Sequence, residues 1–229
     1  MISHEHKCIF IHIPKCAGSS IFNYFIDRKT HDVSWKKPNY EVLYGWCPKR
    51  KIHLQHATAK QLIETELISE AHWKEYFKFT FVRNPWDRAY SDYLWIQKDT
   101  GAKGSFKDFI LKQKGFKKVL MDNSEMSYRG DHTILQTDFF DNEGLCQMDF
   151  VGRFENLQTD FSRVINELDL EASFSQHEKR NVQRKMHYSE FYTGSKKRLV
   201  EEAYKEDITL LGYHFKDRKK GIQKIKKIL

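Results

Sequence analysis

One stretch constrains this chain more than any other: an apolar run that becomes an amphipathic helix through a lysine, a glycine and two serines. "CIFIHIPKCAGSSIFNYF", residues 8–25, opens with six residues of strand character. Pro14 then interrupts the extended run, and Ile21, Phe22, Phe25 and Ile26 recur on one helical face. The pattern predicts a strand over about 8–13 and a helix over about 18–28. A strand that feeds a helix this directly leaves backbone N–H groups free at the helix start, which suits an anion. Gly18 permits a backbone conformation and an approach to a ligand that a side chain would obstruct. Ser19 and Ser20 add hydroxyl donors, and Lys15 adds a mobile point charge. Ordinary strand–turn–helix connections share this composition, so a second feature is needed to define a site.

Downstream, strands and helices alternate. "KIHLQH" reads as a short strand leading into "TAKQLIETEL", where Thr58 and Gln61 form a capping box for a helix carrying Leu62, Ile63 and Leu67. "YFKFTFV", 76–82, is a strand followed at once by a helix over about 85–97, with Asn84 as its cap and Pro85 in its first turn. Another helix starts at Ser105, a strand near 148–153 precedes a helix at 157–168, and a last long helix covers about 195–210. The alternation predicts an α/β, P-loop-like, three-layer fold whose central, largely parallel sheet is flanked by helices. Residues 30–50 and 114–147 look loop-rich, and ligands in such folds bind at the carboxyl ends of the strands.

The 229 residues suit one domain, read as 1–215, followed by a basic tail, 216–229. No run approaches the 18 or so apolar residues of a membrane span, and "MISHEHK" lacks a signal-peptide core. Cys8, Cys16, Cys47 and Cys146 form no CxxC pair, which points to a reduced, cytoplasmic protein. Of the net charge of +8, the tail "KDRKKGIQKIKKIL" carries +6 and leaves +2 for the body. That body lacks the broad basic surface of a nucleic-acid binder. In the tail, Ile222, Ile225 and Leu229 fall on one helical face among lysines, a pattern that serves peripheral contact with an anionic membrane or a plain solubilising extension.

The second feature is "FVRNPWDRAYSDYLW". It puts Arg83 at the carboxyl end of a strand and Ser91 two turns into the next helix, where a guanidinium fork and a hydroxyl can share one phosphate. Asp87 offers Arg83 a local ion-pair partner instead. Two anion-binding junctions in one parallel sheet suit a ligand with two separated anionic groups. The order of residues is not that of a Walker A loop, since Lys15 precedes Gly18. Neither "FTFVRN" nor "MDFVGRF" ends in the acidic residue that helps hold Mg²⁺ in nucleoside triphosphatases, so no metal is expected.

"HIPKCAGSS" resembles the 5′-phosphosulfate loop of sulfotransferases that use 3′-phosphoadenosine 5′-phosphosulfate (PAPS), and "FVRNPWDRAYSDY" resembles their 3′-phosphate motif. The closer similarity is to the carbohydrate branch that includes heparan sulfate 2-O-sulfotransferase and chondroitin sulfotransferases. "FVGRFENL", "QTDFF", "RNVQRKMHYSEFY" and "YKEDITLLGY" extend it across most of the chain. Cys16 departs mildly from the pattern, where threonine is frequent, and loses a hydroxyl contact while keeping its N–H. The resemblance implies transfer of a sulfuryl group from PAPS to a carbohydrate hydroxyl, leaving adenosine 3′,5′-bisphosphate. It implies that Cys16, Ala17, Gly18, Ser19 and Ser20 hold the 5′-phosphate, Arg83 and Ser91 the 3′-phosphate, and that Lys15 stabilises the leaving oxygen. Arg184, with Lys185 beside it, is a further nucleotide contact or a solvated charge. His56 matches the position of the branch's catalytic base; His53 and Glu155 are rivals for that proton. A nucleotide-dependent kinase on a related fold, or a non-catalytic polyanion-binding protein, are the alternatives.

Overall fold

The computed structural model describes residues 1–142, 145–171, 174 and 186–218. Four strands form the central sheet in the order β1 (Ile2–Ser3), β2 (Cys8–Ile11), β3 (Phe77–Val82) and β4 (Phe150–Arg153). β1 is antiparallel to β2, while β2–β3 and β3–β4 are parallel, with Cys8 opposite Phe77 and Val82 opposite Arg153. All four residues of β2 are buried, the near-continuous apolar run expected of a strand covered on both faces. The helices that position the site are α1 (Gly18–Phe25), α2 (Ala59–Glu64), α3 (Pro85–Thr100), α4 (Gln136–Phe140), α5 (Leu157–Glu167), α6 (Gly194–Ala203) and α7 (Lys205–Leu210). Shorter helices and two-stranded ribbons fill the connections.

Local chemistry accounts for the boundaries. Thr58 and Gln61 form the reciprocal capping box of α2, and the Asn84 side chain accepts from Asp87 N to cap α3. α3 runs to Thr100, past the expected 97, and stops at Gly101, which adopts φ 72°. β2 ends at Ile11, two residues short of the expected strand, and "KIHLQH" yields a two-residue strand followed by a 3₁₀ turn at Leu54–His56. Residues 114–147 are not simply loop, since they include short helices at Lys117–Met121 and Gln136–Phe140. The single long helix expected at 195–210 is two, broken at Tyr204 (φ −122°, ψ 29°). Past that break Asp207 turns inward and is fully buried against the start of α4.

Phe79 and Phe81 project from one face of β3 onto α1 and α5. Phe161 of α5 is the hub, with its ring 4.5–6.4 Å from those of Tyr24, Phe25, Phe79, Phe81 and Phe174. At the other end of the chain Phe215 packs on Trp86, Tyr188 and Tyr192. The main-chain N–H groups of Lys216 and Arg218 still donate to Tyr188 Oη and Ser189 Oγ. Residues 219–229, most of the basic tail, lie outside the described residues, as does Arg184. Among the described residues no helix is long and apolar enough to cross a membrane.

Replacing Phe161 by alanine removes the hub of this aromatic layer. Urea denaturation is expected to show a loss of about 3–5 kcal/mol with a cooperative transition retained. A loss under about 1 kcal/mol would mean the layer is not a core.

Candidate active site

Both sequence motifs expected to bind anions lie just past the carboxyl ends of the adjacent strands β2 and β3. In the first loop Lys15 (φ 66°) and Ala17 (φ 68°) are left-handed and flank Cys16, which is not. Such alternation turns successive N–H groups into one concavity, a conformation that is costly for non-glycine residues and recurs at ligand sites. The N–H groups of Ala17, Gly18 and Ser19 meet no acceptor among the described residues. Gly18 itself has no positive φ, so its expected backbone freedom is not what the loop uses. It is needed because the His12 ring fills its side-chain space: a Cβ there would lie 1.7 Å from His12 Nε2. Ser19 is exposed and Ser20 half-buried, so both stand at the loop surface. The Cys16 thiol is buried, which pushes its pKa up to about 12, and it points at the Pro14 and Gln136 oxygens. It is a neutral packing group there.

Arg83 leaves β3 with its guanidinium already in use. Nε and Nη2 each reach Asp87 Oδ2 at 3.0 Å, Nη1 donates to the Lys15 carbonyl at 2.8 Å, and the group lies 4.0 Å from the Phe154 ring centroid. The local pair with Asp87 is thus formed. A guanidinium has five N–H donors, and these contacts leave two for a ligand. Ser91 is buried on α3, and its hydroxyl finds no partner among the described residues. Glu155 is committed elsewhere: it accepts from Asn84 N (2.7 Å) and Tyr213 Oη (3.0 Å), which makes it a clamp on the chain after Arg83.

Beside the first loop stands a group of histidines. His12 packs against Gly18 on one side, and its ring lies 4.8 Å from that of His56. His56 Nδ1 meets Asp131 Oδ2 at 2.5 Å. The remaining Asp131 oxygen accepts from His132 N, and His132 Nδ1 meets Asp92 Oδ1 at 2.6 Å. The His132 ring stacks on Trp95 at 4.5 Å, and Lys15 Nζ sits 5.1 Å from the centroid of that indole. A row of rings therefore joins Lys15 to His56. His53 is more deeply engaged, with Nε2 3.1 Å from both the Tyr128 carbonyl and Arg129 Nη1. A cleft of about 70 Å³, lined by Lys51, His53, His56, Asn123, Tyr128 and Asp131 among others, opens beside His56.

Burial is the largest influence on the His56 pKa and lowers it; the Asp131 charge and hydrogen bond offset this only in part. Burial would raise the Asp131 carboxyl, yet the adjacent His56 holds it below the ordinary carboxylate range. At neutral pH the pair is thus a neutral imidazole donating Nδ1–H to a carboxylate, which leaves the Nε2 lone pair as a base. His56, Asp131 and His132 can bring ligand atoms within 4.8 Å of one another. Nδ1 and Oδ2 stand 2.5 Å apart, however, whereas two ligands of a tetrahedral Zn²⁺ lie roughly 3.4 Å apart. In this arrangement the donors serve hydrogen bonds.

The sequence reading missed His12, Asp131, His132, Asp92, Trp95 and Arg88. Arg88 is a buried cation that donates to the Pro14, His132 and Ile134 carbonyls, tying the first loop to the Asp131 turn. Its place in "RNPWDRAYS" and the adjacent acid and imidazole of "GDH" were the available signals.

The model of the sulfotransferase family matches residues 1–214, and the chain belongs to that family. No curated protein and no solved structure matches it. Membership places it in a class of enzymes that transfer a sulfuryl group.

The buried histidines give stability a definite pH dependence. Burial lowers the pKa of His12 and His56 and brings that of His53 to about 4, against about 6.5 in an unfolded chain. Above pH 6.5 neither state binds the protons and the stability is fully present. As pH falls from 6.5 toward 4 the unfolded chain takes them up first, so stability is lost. His53 alone contributes on the order of 2 kcal/mol of that loss by pH 5. Urea midpoints at pH 7.5 and 5.0 test this, and a midpoint unchanged between them counts against neutral buried rings.

Proposed function

We propose that this chain transfers a sulfuryl group from PAPS to a hydroxyl of a carbohydrate acceptor, with His56 as general base. The observation that carries the reading is the His56–Asp131 pair, standing one imidazole away from the anion loop. The residues present fit the donor. The N–H groups of residues 17–19, which meet no acceptor among the described residues, stand beside Lys15 and the hydroxyls of Ser19 and Ser20 and suit a 5′-phosphosulfate. The two remaining Arg83 donors and the Ser91 hydroxyl suit a 3′-phosphate. When bound, PAPS supplies the activated sulfuryl group and a phosphate leaving group.

The chain's own residues do the rest. Asp131 fixes the His56 tautomer and ring plane through Nδ1–H, so that Nε2 faces away from the carboxylate. Nε2 removes the acceptor hydroxyl proton as that oxygen attacks, and Asp131 stabilises the imidazolium that forms. Lys15, held near the Trp95 face, places its ammonium where negative charge grows on the leaving oxygen. The loop N–H groups keep the donor in line. The cleft beside His56 admits the acceptor hydroxyl, and no step requires a metal. The reading includes a cytoplasmic setting and a peripheral contact of the 216–229 tail with anionic membrane, consistent with its cluster of lysines.

His56→Ala is expected to lower the single-turnover rate with saturating PAPS by about 10²–10⁴-fold, leaving PAPS affinity nearly unchanged. Its acidic pH–rate limb should vanish, and His53→Ala should cost clearly less. Mass spectrometry of candidate glycans after incubation with PAPS reads the product directly. A near-normal rate for His56→Ala would move the base elsewhere. Bisphosphate binding with no sulfated product from any glycan would favour a non-catalytic role.

Asp131→Asn tests the orienting carboxylate. The amide can hold His56 in the opposite tautomer, so the rate should fall by at least ten-fold while nucleotide affinity stays. An unchanged rate would reduce Asp131 to a packing role.

A further inference from the structure

We infer that Gln136, pinned by Asp207, is a positioning residue that sets the two anion loops at the separation a doubly phosphorylated nucleotide requires. This rests on the nucleotide reading given above. Gln136 and Asp207 are both fully buried. β3 makes its last pairing at Val82, opposite Arg153. One residue on, the buried Arg83 has lost its neighbouring strands, and its N–H and C=O need other partners. The Gln136 amide supplies both: Oε1 accepts from Arg83 N at 2.7 Å, and Nε2 donates to Arg83 O at 2.9 Å. Only a side chain that is donor and acceptor at once can take both groups of one residue, and an amide does so in one plane.

The same amide touches the first loop. Oε1 also lies 3.6 Å from the Cys16 thiol, which donates to it. Arg83 completes the link, because its Nη1 holds the Lys15 carbonyl. The chain of contacts therefore runs from Gln136 through the Arg83 main chain to its guanidinium and on to the loop that carries Lys15.

Asp207 keeps the amide from rotating. Oδ2 accepts from Gln136 N (2.9 Å) and from Gln136 Nε2 (3.3 Å), while Oδ1 accepts from Thr137 N and Thr137 Oγ1. With Asp207 accepting from Nε2, Oε1 must be the atom that faces Arg83 N and Cys16. The carboxylate thus selects the amide orientation that both loops use, although α7 lies far along the chain from either. Gln136 reaches no ligand group itself and acts through Arg83 and the Lys15 loop.

The test compares full-length wild type with Gln136→Met, which keeps the length and removes the hydrogen bonds, and with Asp207→Asn, which disturbs the amide only through its anchor. Titration calorimetry with adenosine 3′,5′-bisphosphate and with 5′-AMP gives the affinity ratio of the two nucleotides. A merely structural residue would lower thermal stability and leave that ratio alone. The expected result is a ratio reduced about ten-fold in Gln136→Met and less in Asp207→Asn, in proteins that still unfold cooperatively. Folded variants with the wild-type ratio would overturn the positioning role. If Gln136→Met fails to fold, Asp207→Asn decides alone by the same criterion. A wild-type protein with no preference for the bisphosphate would overturn the nucleotide reading, an outcome separate from failure of the positioning role.

Discussion

Strands β2 and β3 lie side by side in parallel, Cys8 against Phe77 through Ile11 against Thr80, and the candidate site hangs from the ends they share. Parallel pairing brings two chain exits to one edge of the sheet, which neither strand could do alone. The first exit carries Lys15 and the left-handed loop; the second carries Arg83. Because those exits leave the sheet's hydrogen-bond ladder, their buried polar groups must be met by residues from elsewhere. Gln136 and Glu155 meet Arg83 and Asn84, and Arg88 meets Pro14. The site is a consequence of where the sheet ends.

Local rules exposed much of this in the sequence. The capping box at Thr58–Gln61, the Asn84 cap and the buried β3 run depend on neighbours a few residues apart, and each forms as expected. Lys15, Arg83 and His56 stand out in the sequence because each sits in a short motif, and the fold brings the Lys15 loop near both Arg83 and the His56 ring. What stayed hidden depends on distant partners. Asp131 meets His56 across 75 positions, and Gln136 meets Asp207 across 71. The break at Tyr204 was hidden for the same reason, since the helical pattern of 195–210 is uninterrupted and only the burial of Asp207 shows why the chain bends. The reason given for Gly18 also changed: a neighbouring ring, not a backbone angle, excludes a side chain there.

Charge burial beneath the site follows one pattern. Arg88 and Asp92 are each about 1% exposed, a placement that is costly unless every donor and acceptor is met. Arg88 gives its N–H groups to three carbonyls and lies 3.8 Å from Asp92, which in turn holds His132. Removing one member would strand the others in a medium that solvates them poorly. Such a network contributes less to net stability than to a single arrangement of the loops, which is what the proposed transfer needs.

The histidine group shows how that arrangement sets protonation states. Three rings packed together and away from water cannot all hold protons, so burial and mutual repulsion keep His12 and His53 neutral at the pH where the chain would work. The Asp131 charge raises all three, but His56 alone of them is also hydrogen-bonded to that carboxylate, and its pKa still stays below the ordinary value. A base needs that compromise, being unprotonated at rest yet able to keep a proton once it has taken one. His53 is buried to a similar depth, but its Nε2 faces the Arg129 guanidinium and the Tyr128 carbonyl, and among the described residues no carboxylate is hydrogen-bonded to it. The difference between the two histidines lies in their partners and not in their exposure, and it is the ground on which His56 is proposed as the base.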